Sequence, residues 1–230
     1  MSALGLGTHA GASFQTRFLS QVLQKIGDSM DSSTRPTKIL ALTPKGAALA
    51  RRLARGLEGG QCWLPEALAG DSREATFSRL SDAFREAFVE RHNLVCVMAA
   101  GIVVRSIAPY LKGKDTDPAV VVVDEAGRFA VSLLSGHLGG ANELARQVAK
   151  VSGGAAVITT ATDVHGLPAL DVLAVEHGLI IENLAGVRAI HMALLAGRPV
   201  RVADPEGILY GELSAYPELF SFEPDLDRAL

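Results

Sequence analysis

His137 sits in the run Ser135-Gly136-His137-Leu138-Gly139-Gly140, between an apolar segment ending at Leu134 and a helical one beginning at Ala141. Imidazole titrates near neutrality, so a histidine in an exposed strand-to-helix turn is suited to general-base work on water. The helix N-terminus beside it is expected to depress its pKa and keep it neutral. The glycines of the turn are expected to leave backbone N–H groups at the positive end of the helix dipole, a place for an anion or a developing oxyanion. The same histidine also suits a structural role, hydrogen-bonded to the loop backbone. Ser135 opens a second route, with serine as nucleophile and His137 as its base, although SGHLG lacks the nucleophile-elbow pattern G-x-S-x-G. Asp124 and Glu125 lie at a strand end, where a carboxylate can act as base or hold His137; two solvated hairpin charges are the plainer alternative.

Positive groups for an anionic ligand come from Arg105, Lys112 and Lys114, on one short helix and its exit. A guanidinium can hold a carboxylate with two parallel bonds, which makes Arg105 the strongest of the three; Asp115 and Asp117 are near enough to neutralise the lysines instead. Asn142, in the first turn after Gly139-Gly140, suits either a bond to substrate or a helix cap. Thr159, Thr160, Thr162 and Asp163 bring hydroxyls and a carboxylate to the end of another strand, where Asp163 equally suits capping the next turn. His191 falls on an apolar stripe and reads as core, His9, His92 and His177 read as surface, and His165 is an outside candidate beside the threonine-rich turn. No pair of histidines has metal-ligand spacing.

The elements that must position these residues alternate. Ile39 to Leu42 reads as a strand, followed by Thr43 as helix cap and Pro44 at the first helical position. Cys62 to Leu64 is a short strand, and Glu74 to Arg91 reads as one helix with a stripe of Phe77, Leu80, Phe84 and Phe88. Asn93 to Met98 and Ala119 to Val123 are apolar without alternation, as strands covered on both faces are. A turn through Gly127 returns the chain along Phe129 to Leu134, a hairpin, so the sheet is expected to be mixed. Ile102 to Leu111 reads as a short helix. Ala141, Leu144, Ala145, Val148 and Ala149 give the helix after the glycine-rich turn one apolar face. Ala169 to His177 and Leu184 to Ala196 are helical, stopped by Gly178 and Gly197, and Asn183 caps the second. Val200 to Val202 is a strand, and the segment from Ala203 has no assignment. The expected fold is an α/β, three-layer, mixed but mostly parallel sheet flanked by helices, with a second smaller α/β unit. The expected domains are an extension and linker over 1–36, with an amphipathic turn from Phe18, Leu19, Val22, Leu23 and Ile26, an α/β domain over 37–158 and a smaller one over 159–230.

With 48% hydrophobic and 20% charged residues, the 230-residue chain reads as soluble and globular, able to bury one large or two small cores. A net charge of −3 without a long basic run points away from nucleic acid and acidic membranes as partners. The two cysteines, Cys62 and Cys96, are too few for a disulfide framework or thiolate metal site and fit a cytoplasmic setting. No run reaches the length of a membrane span, and the start lacks the order of a secretion signal.

The strings GIVVRSIAPYL, DPAVVVVDEAGRFAVSLLSGHLGGANELA and VITTATDVHGLPALD resemble the signature segments of the CbiG family, the cobalt-precorrin-5A hydrolases of the anaerobic cobalamin pathway. The resemblance runs from about Lys38 to about Val202. It implies that water opens a δ-lactone on a cobalt-containing corrinoid and that a two-carbon unit leaves as acetaldehyde, with cobalt present only within the substrate and no cofactor besides. On that basis His137, Glu125 and Ser135 are the expected catalytic residues. Arg105, Lys114, Gly136, Gly139, Gly140, Asn142, Thr159, Thr160 and Asp163 are the expected contacts to the macrocycle, held between the two units. Many family members carry a further C-terminal domain for which this chain, ending at Leu230, leaves no room. A separately encoded partner, that domain or another enzyme of the pathway, is therefore a second expectation, and a corrinoid-binding carrier without turnover is the rival reading.

Overall fold

The computed structural model describes residues 23–25, 35–70, 74–113, 116–181 and 183–223. Chain contacts divide it into two compact units, a larger one over 26–178 and a smaller one formed by 1–25 with 179–230. Residues 159–178 thus belong with the larger unit.

The larger unit is built on a seven-stranded sheet in the order β4-β3-β2-β5-β6-β7-β8. Its strands are β2 (Thr37–Ala41), β3 (Gly60–Pro65), β4 (Ala75–Phe77), β5 (Asn93–Val97), β6 (Val120–Val123), β7 (Phe129–Leu134) and β8 (Ala155–Val157). β2 to β6 run parallel; β7 returns antiparallel to β6, and β8 runs parallel to β7. The expected mixed sheet is therefore present, and its one reversal decides which edge each loop reaches.

Period-two alternation within the apolar runs explains both covered faces. Ile39, Val95, Val97, Val121 and Val123 face α1 (Pro44–Gly56) and α4 (Ala141–Ser152), packing with Leu53, Leu144 and Val148. Leu40, Leu94, Cys96, Val120 and Val122 face the other way with Trp63, Phe84, Val103 and Ile107, under α2 (Leu80–Val89) and α3 (Ala100–Ile107). Each such side chain, taken fully from water, contributes about 1.5–3 kcal/mol. Thr43 caps α1 through its hydroxyl, 3.0 Å from the Gly46 N–H, with Pro44 at the first turn as expected.

Two elements differ from expectation. The single helix over 74–91 is a short edge strand followed by a shorter helix. Glu74 is held by Arg51 (Nη2 to Oε2, 2.9 Å) and by the Gly70 N–H at 2.9 Å, and Ala75 to Phe77 then pairs with β3. Phe77 reaches the core from a strand, so the spacing of the aromatic stripe is met without helix at its first member. The helix expected from Ile102 to Leu111 starts at Ala100 and gives way after Ile107 to a 3-10 turn over Ala108–Tyr110, which contains Pro109.

In the larger unit the chain continues through α5 (Ala161–Val164) and α6 (Leu170–Glu176), stopped at Gly178 in the left-handed conformation. The smaller unit contains β1 (Leu23–Lys25) antiparallel to β9 (Leu179–Ile181), and β10 (Val200–Val202) parallel to β11 (Phe220–Phe222). α7 (Leu184–Leu195) is capped by Asn183, whose Oδ1 accepts from Gly186 N at 2.9 Å, and α8 (Tyr210–Leu213) lies in the stretch left unassigned from sequence. Leu23 is in a strand rather than in the amphipathic helical turn expected for the extension; Phe18, Leu19, Val22 and Ile26 lie outside the described residues. Among the described residues no helix is long and apolar enough to cross a membrane.

Candidate active site

The glycine-rich turn begins where β7 ends. Ser135 takes φ 59°, an uncommon conformation for a residue with a side chain, and Gly140 enters the left-handed region at φ 83° as the N-cap of α4. Between them Gly139 approaches Ser135 so closely that an added Cβ would lie 2.2 Å from Ser135 Cβ. The loop is drawn in by its own backbone. Gly140 N–H donates to His137 O (2.7 Å), Ala141 N–H to Ser135 O (3.0 Å) and Asn142 N–H to Gly136 O (3.0 Å). These donors are therefore taken by loop carbonyls, and the anion cradle expected from the sequence is not made by them.

Side chains converge instead. α5, just after β8, presents Asp163, whose Oδ2 accepts from Thr160 Oγ1 (2.7 Å) and Asn142 Nδ2 (3.0 Å) and lies 3.0 Å from His137 Nε2. Its Oδ1 accepts from Arg146 Nη2 at 2.6 Å. Asn142, buried, also donates to Thr160 Oγ1 (2.9 Å) and accepts from Ser132 Oγ (2.7 Å), which fixes the orientation of its amide. Burial works against the charge of Asp163, but bonds from Thr160, His137 and Arg146 prevail and hold its carboxyl below the ordinary range.

His137 is bracketed by a second carboxylate. Asp171, in the first turn of α6 with its side chain only 8% exposed, places Oδ1 3.4 Å from His137 Nδ1; Thr162 Oγ1 lies 3.1 Å from Nε2. The bond to Asp171 raises the imidazole pKa, burial opposes the rise, and Asp163 adds to it. This corrects the expected depression by the helix dipole: two carboxylates at hydrogen-bonding range outweigh partial charges whose donors are already satisfied. With Asp163 favoured as the carboxylate, His137 holds a proton more readily than a free imidazole does.

A cavity of about 900 Å³ opens over this cluster, lined by His137, Asn142, Arg146, Asp163, Glu58 and Arg35 among others. It also takes in Thr37, Gly59 and Asn93, at the amino ends of the parallel strands or just before them. The reversal at β7 is the reason: Leu134 pairs with Val120, so the loop after β7 emerges where β6 begins.

The remaining expected residues lie elsewhere or do other work. Glu125, in the turn before β7, accepts a bond from Thr43 Oγ1 and lines a separate cavity of about 550 Å³ at the carboxyl ends of β2, β5 and β6. Arg105 donates to Gly101 O at 2.8 Å within its own helix, and Asp117 accepts from the Lys112 and Gly113 N–H groups at 3.0–3.2 Å. Asp124 accepts from Ala126, Arg128 and Phe129 N–H at 2.9–3.0 Å; burial resists, yet these bonds keep its carboxyl below the usual range, as the keystone of the hairpin turn. Ser135 is buried, and among the described residues its Oγ has no hydrogen-bond partner, so no serine–histidine dyad is assembled. Thr159 is exposed and joins none of these bonds. Lys114 lies outside the described residues.

Sequence reasoning missed Asp171, Arg146 and Arg35. A lone acid inside the apolar run Leu167 to Ala174 was the readable sign of Asp171, because a charge buried on such a face needs a partner. Arg146 sits on the polar face of α4 and gives no sign of its role.

Two family models match the chain: cobalamin synthesis G N-terminal over residues 82–163, and cobalamin biosynthesis central region over 168–226. A cobalt-precorrin-5A hydrolase of Salmonella typhimurium is 40% identical over 163 residues, 70% of this chain and 46% of that protein. The enzyme of the same name from Priestia megaterium is 34% identical over 174 residues, 74% of this chain and 46% of that protein. The chain thus spans about half the length of the curated relatives it matches. A crystal structure described as a cobalamin biosynthesis protein G homologue from Sulfolobus solfataricus superposes with a TM-score of 0.47 at 23% identity, over 76% of this chain and 51% of that one.

Proposed function

Because the chain belongs to the CbiG family, whose N-terminal and central regions it carries, we propose that it is a cobalt-precorrin-5A hydrolase. In this reading it opens the δ-lactone of the cobalt corrinoid with water and releases acetaldehyde in anaerobic cobalamin biosynthesis, cobalt entering only as part of the substrate. The observation that carries it is the Asp163–His137–Asp171 cluster facing a cavity of about 900 Å³. Two named hydrolases sharing 34% and 40% identity with the chain support the same reading.

The reaction needs water to add to the lactone carbonyl carbon and the ring C–O bond to break, giving a carboxylate. The freed oxygen becomes the carbonyl of acetaldehyde as its carbon parts from the macrocycle, and the macrocycle carbon takes a proton. His137, whose protonated form its two carboxylates favour, is the group placed to supply that proton. Asp163 stays ionised under its donors and stabilises the imidazolium, while Asp171 fixes the ring from Nδ1. Asn142 and Thr160 hold Asp163 in place. The two buried free thiols, Cys62, with a pKa pushed up to about 11, and Cys96, fit action in a reducing cytoplasm.

Anaerobic incubation of the purified 230-residue chain with cobalt-precorrin-5A tests this, with acetaldehyde and the mass of the macrocycle followed together. Release with the matching loss of mass is the expected result. Tight binding with neither change would mark the chain as a corrinoid carrier, or one half of an enzyme completed by a partner.

A further inference from the structure

Two threonine hydroxyls stand two residues apart beside His137, and they are used differently. Thr160 Oγ1 donates to Asp163 Oδ2 at 2.7 Å, so its hydrogen is committed to the carboxylate. Thr162 Oγ1 lies 3.1 Å from His137 Nε2, the same nitrogen that stands 3.0 Å from Asp163 Oδ2. A threonine in a helix can turn its hydroxyl to a carbonyl one turn back. That of Thr162, in α5, is turned to the imidazole instead. The Thr162 carbonyl accepts from Leu167 N–H at 2.9 Å, which ties down the backbone carrying the hydroxyl. With Asp171 Oδ1 3.4 Å from Nδ1, the ring has a carboxylate at each nitrogen and a hydroxyl at Nε2.

We propose that Thr162 is a positioning residue for His137, partnering Nε2 in both of its protonation states and holding the ring in the Nδ1–H tautomer once the Nε2 proton has left. This rests on the hydrolase reading for the destination of that proton, the macrocycle carbon; the tautomer of the substrate-free ring does not depend on it. While Nε2 carries hydrogen, the Asp163 carboxylate and the Thr162 oxygen both accept from it. When the proton passes to carbon, the new C–H bond uses the electron pair of the carbon, and the nitrogen keeps the pair of its broken N–H bond. That lone pair then faces Asp163 Oδ2, an ionised group with no hydrogen to offer. Thr162 rotates its O–H and donates to Nε2, because a hydroxyl serves as donor or acceptor where a carboxylate only accepts. Asp171 accepts from Nδ1–H, which keeps the remaining hydrogen on that side of the ring. A hydroxyl at Nε2 with a carboxylate at Nδ1 is also the layout of a nucleophilic triad. Burial decides against that role: Thr162 is 4% exposed and does not line the cavity, whereas His137 and Asp163 do.

The test reads the imidazole nitrogens of His137 by NMR in the full chain without substrate, on the alkaline side of the histidine's titration, with His137→Gln identifying the signals. In the parent chain Nδ1 is expected to carry the hydrogen and Nε2 to be bare. Thr162→Val should lower the ratio of the Nδ1–H to the Nε2–H tautomer about 3- to 10-fold, the worth of one hydrogen bond, and Thr162→Ser should restore it. Single-turnover acetaldehyde release from cobalt-precorrin-5A should fall by about the same factor in Thr162→Val and recover in Thr162→Ser. An unchanged ratio in Thr162→Val, or a fall in Thr162→Ser equal to that in Thr162→Val, overturns the proposal. So does macrocycle mass trapped on Thr162 of the parent chain, which would make the hydroxyl a nucleophile. The two readings fail separately. A parent chain that never releases acetaldehyde, yet shows the tautomer shift in Thr162→Val, removes the hydrolase and keeps the positioning role; turnover with an unmoved ratio does the reverse.

Discussion

At the edge where β2, β5 and β6 end, Glu125 bonds to Thr43, the N-cap of α1, and Arg105 to the carbonyl one turn back in its own helix, so these groups secure helix ends and turns. At the opposite edge His137, Asn142, Arg146, Thr160, Asp163 and Asp171 come from the β7–α4 turn, α4, the β8–α5 junction and α6, and they bond to one another across those elements. The first edge is where a doubly wound sheet usually binds ligand, and its cavity here is lined mostly by apolar side chains, with Thr43, Asp124 and Glu125 as its polar members. The second holds a histidine bracketed by two carboxylates, Asp163 and Asp171. What separates them is one antiparallel strand: β7 has six residues, which carries the chain about 20 Å from Glu125 before the loop of His137 begins.

The sharpest way to break this comparison is to remove one proton-handling group from each edge. His137→Gln and Asp163→Asn should lower acetaldehyde release by about a hundredfold or more, the range expected for loss of an acid–base residue. Glu125→Gln should leave turnover within about threefold. Next in size is Gly139→Ala, whose new methyl group meets Ser135 at 2.2 Å. Denaturant unfolding should show a loss of about 2–3 kcal/mol for it, as overpacking against backbone does. Gly178→Ala, at φ 63° with nothing within 4 Å, should lose only about 1 kcal/mol.

A smaller effect sharpens the electrostatics. His137 has its pKa raised in the folded chain, so its contribution to stability is complete below its ordinary value of 6.5 and is lost as pH rises through the folded value. Asp163 has its pKa lowered, so its contribution is complete above 3.8 and is lost as pH falls through the folded value. Unfolding free energies measured from pH 6 upward should therefore decline in the parent chain, and His137→Gln should remove that part of the slope. The smallest effect belongs to the other edge: Arg105→Gln, exposed and bonded among the described residues to a carbonyl of its own helix, should change stability by less than about 0.5 kcal/mol in the same measurement.

Much of the frame was legible. The unalternating run Val120 to Val123 announces a strand covered twice, Thr43-Pro44 and Asn183 announce helix starts, and Gly178 announces a stop, because each reports a backbone requirement local to itself. The hairpin at Gly127 is equally local. Its consequence is not: that β7 delivers His137 to the amino ends of the parallel strands follows from strand order, which pairing across the sheet decides. The same holds for Asp171 and Arg146, one in an apolar run and one on a polar helix face, whose roles exist only once α4 and α6 are brought to the same loop. Glu74 to Arg79 misled for a related reason, since the spacing of Phe77 from Phe84 satisfies a helix while pairing with β3 makes it an edge strand.

The central claim is that the His137–Asp163 edge, and not the crevice at Glu125, carries the hydrolysis. The direct measurement is single-turnover acetaldehyde release from cobalt-precorrin-5A, with macrocycle mass, for the parent chain, Asp163→Asn and Glu125→Gln under one anaerobic protocol. Release in the parent and Glu125→Gln, with near-silence in Asp163→Asn, is the expected result. Full activity in Asp163→Asn with loss in Glu125→Gln would contradict the account and move the chemistry to the opposite edge of the sheet.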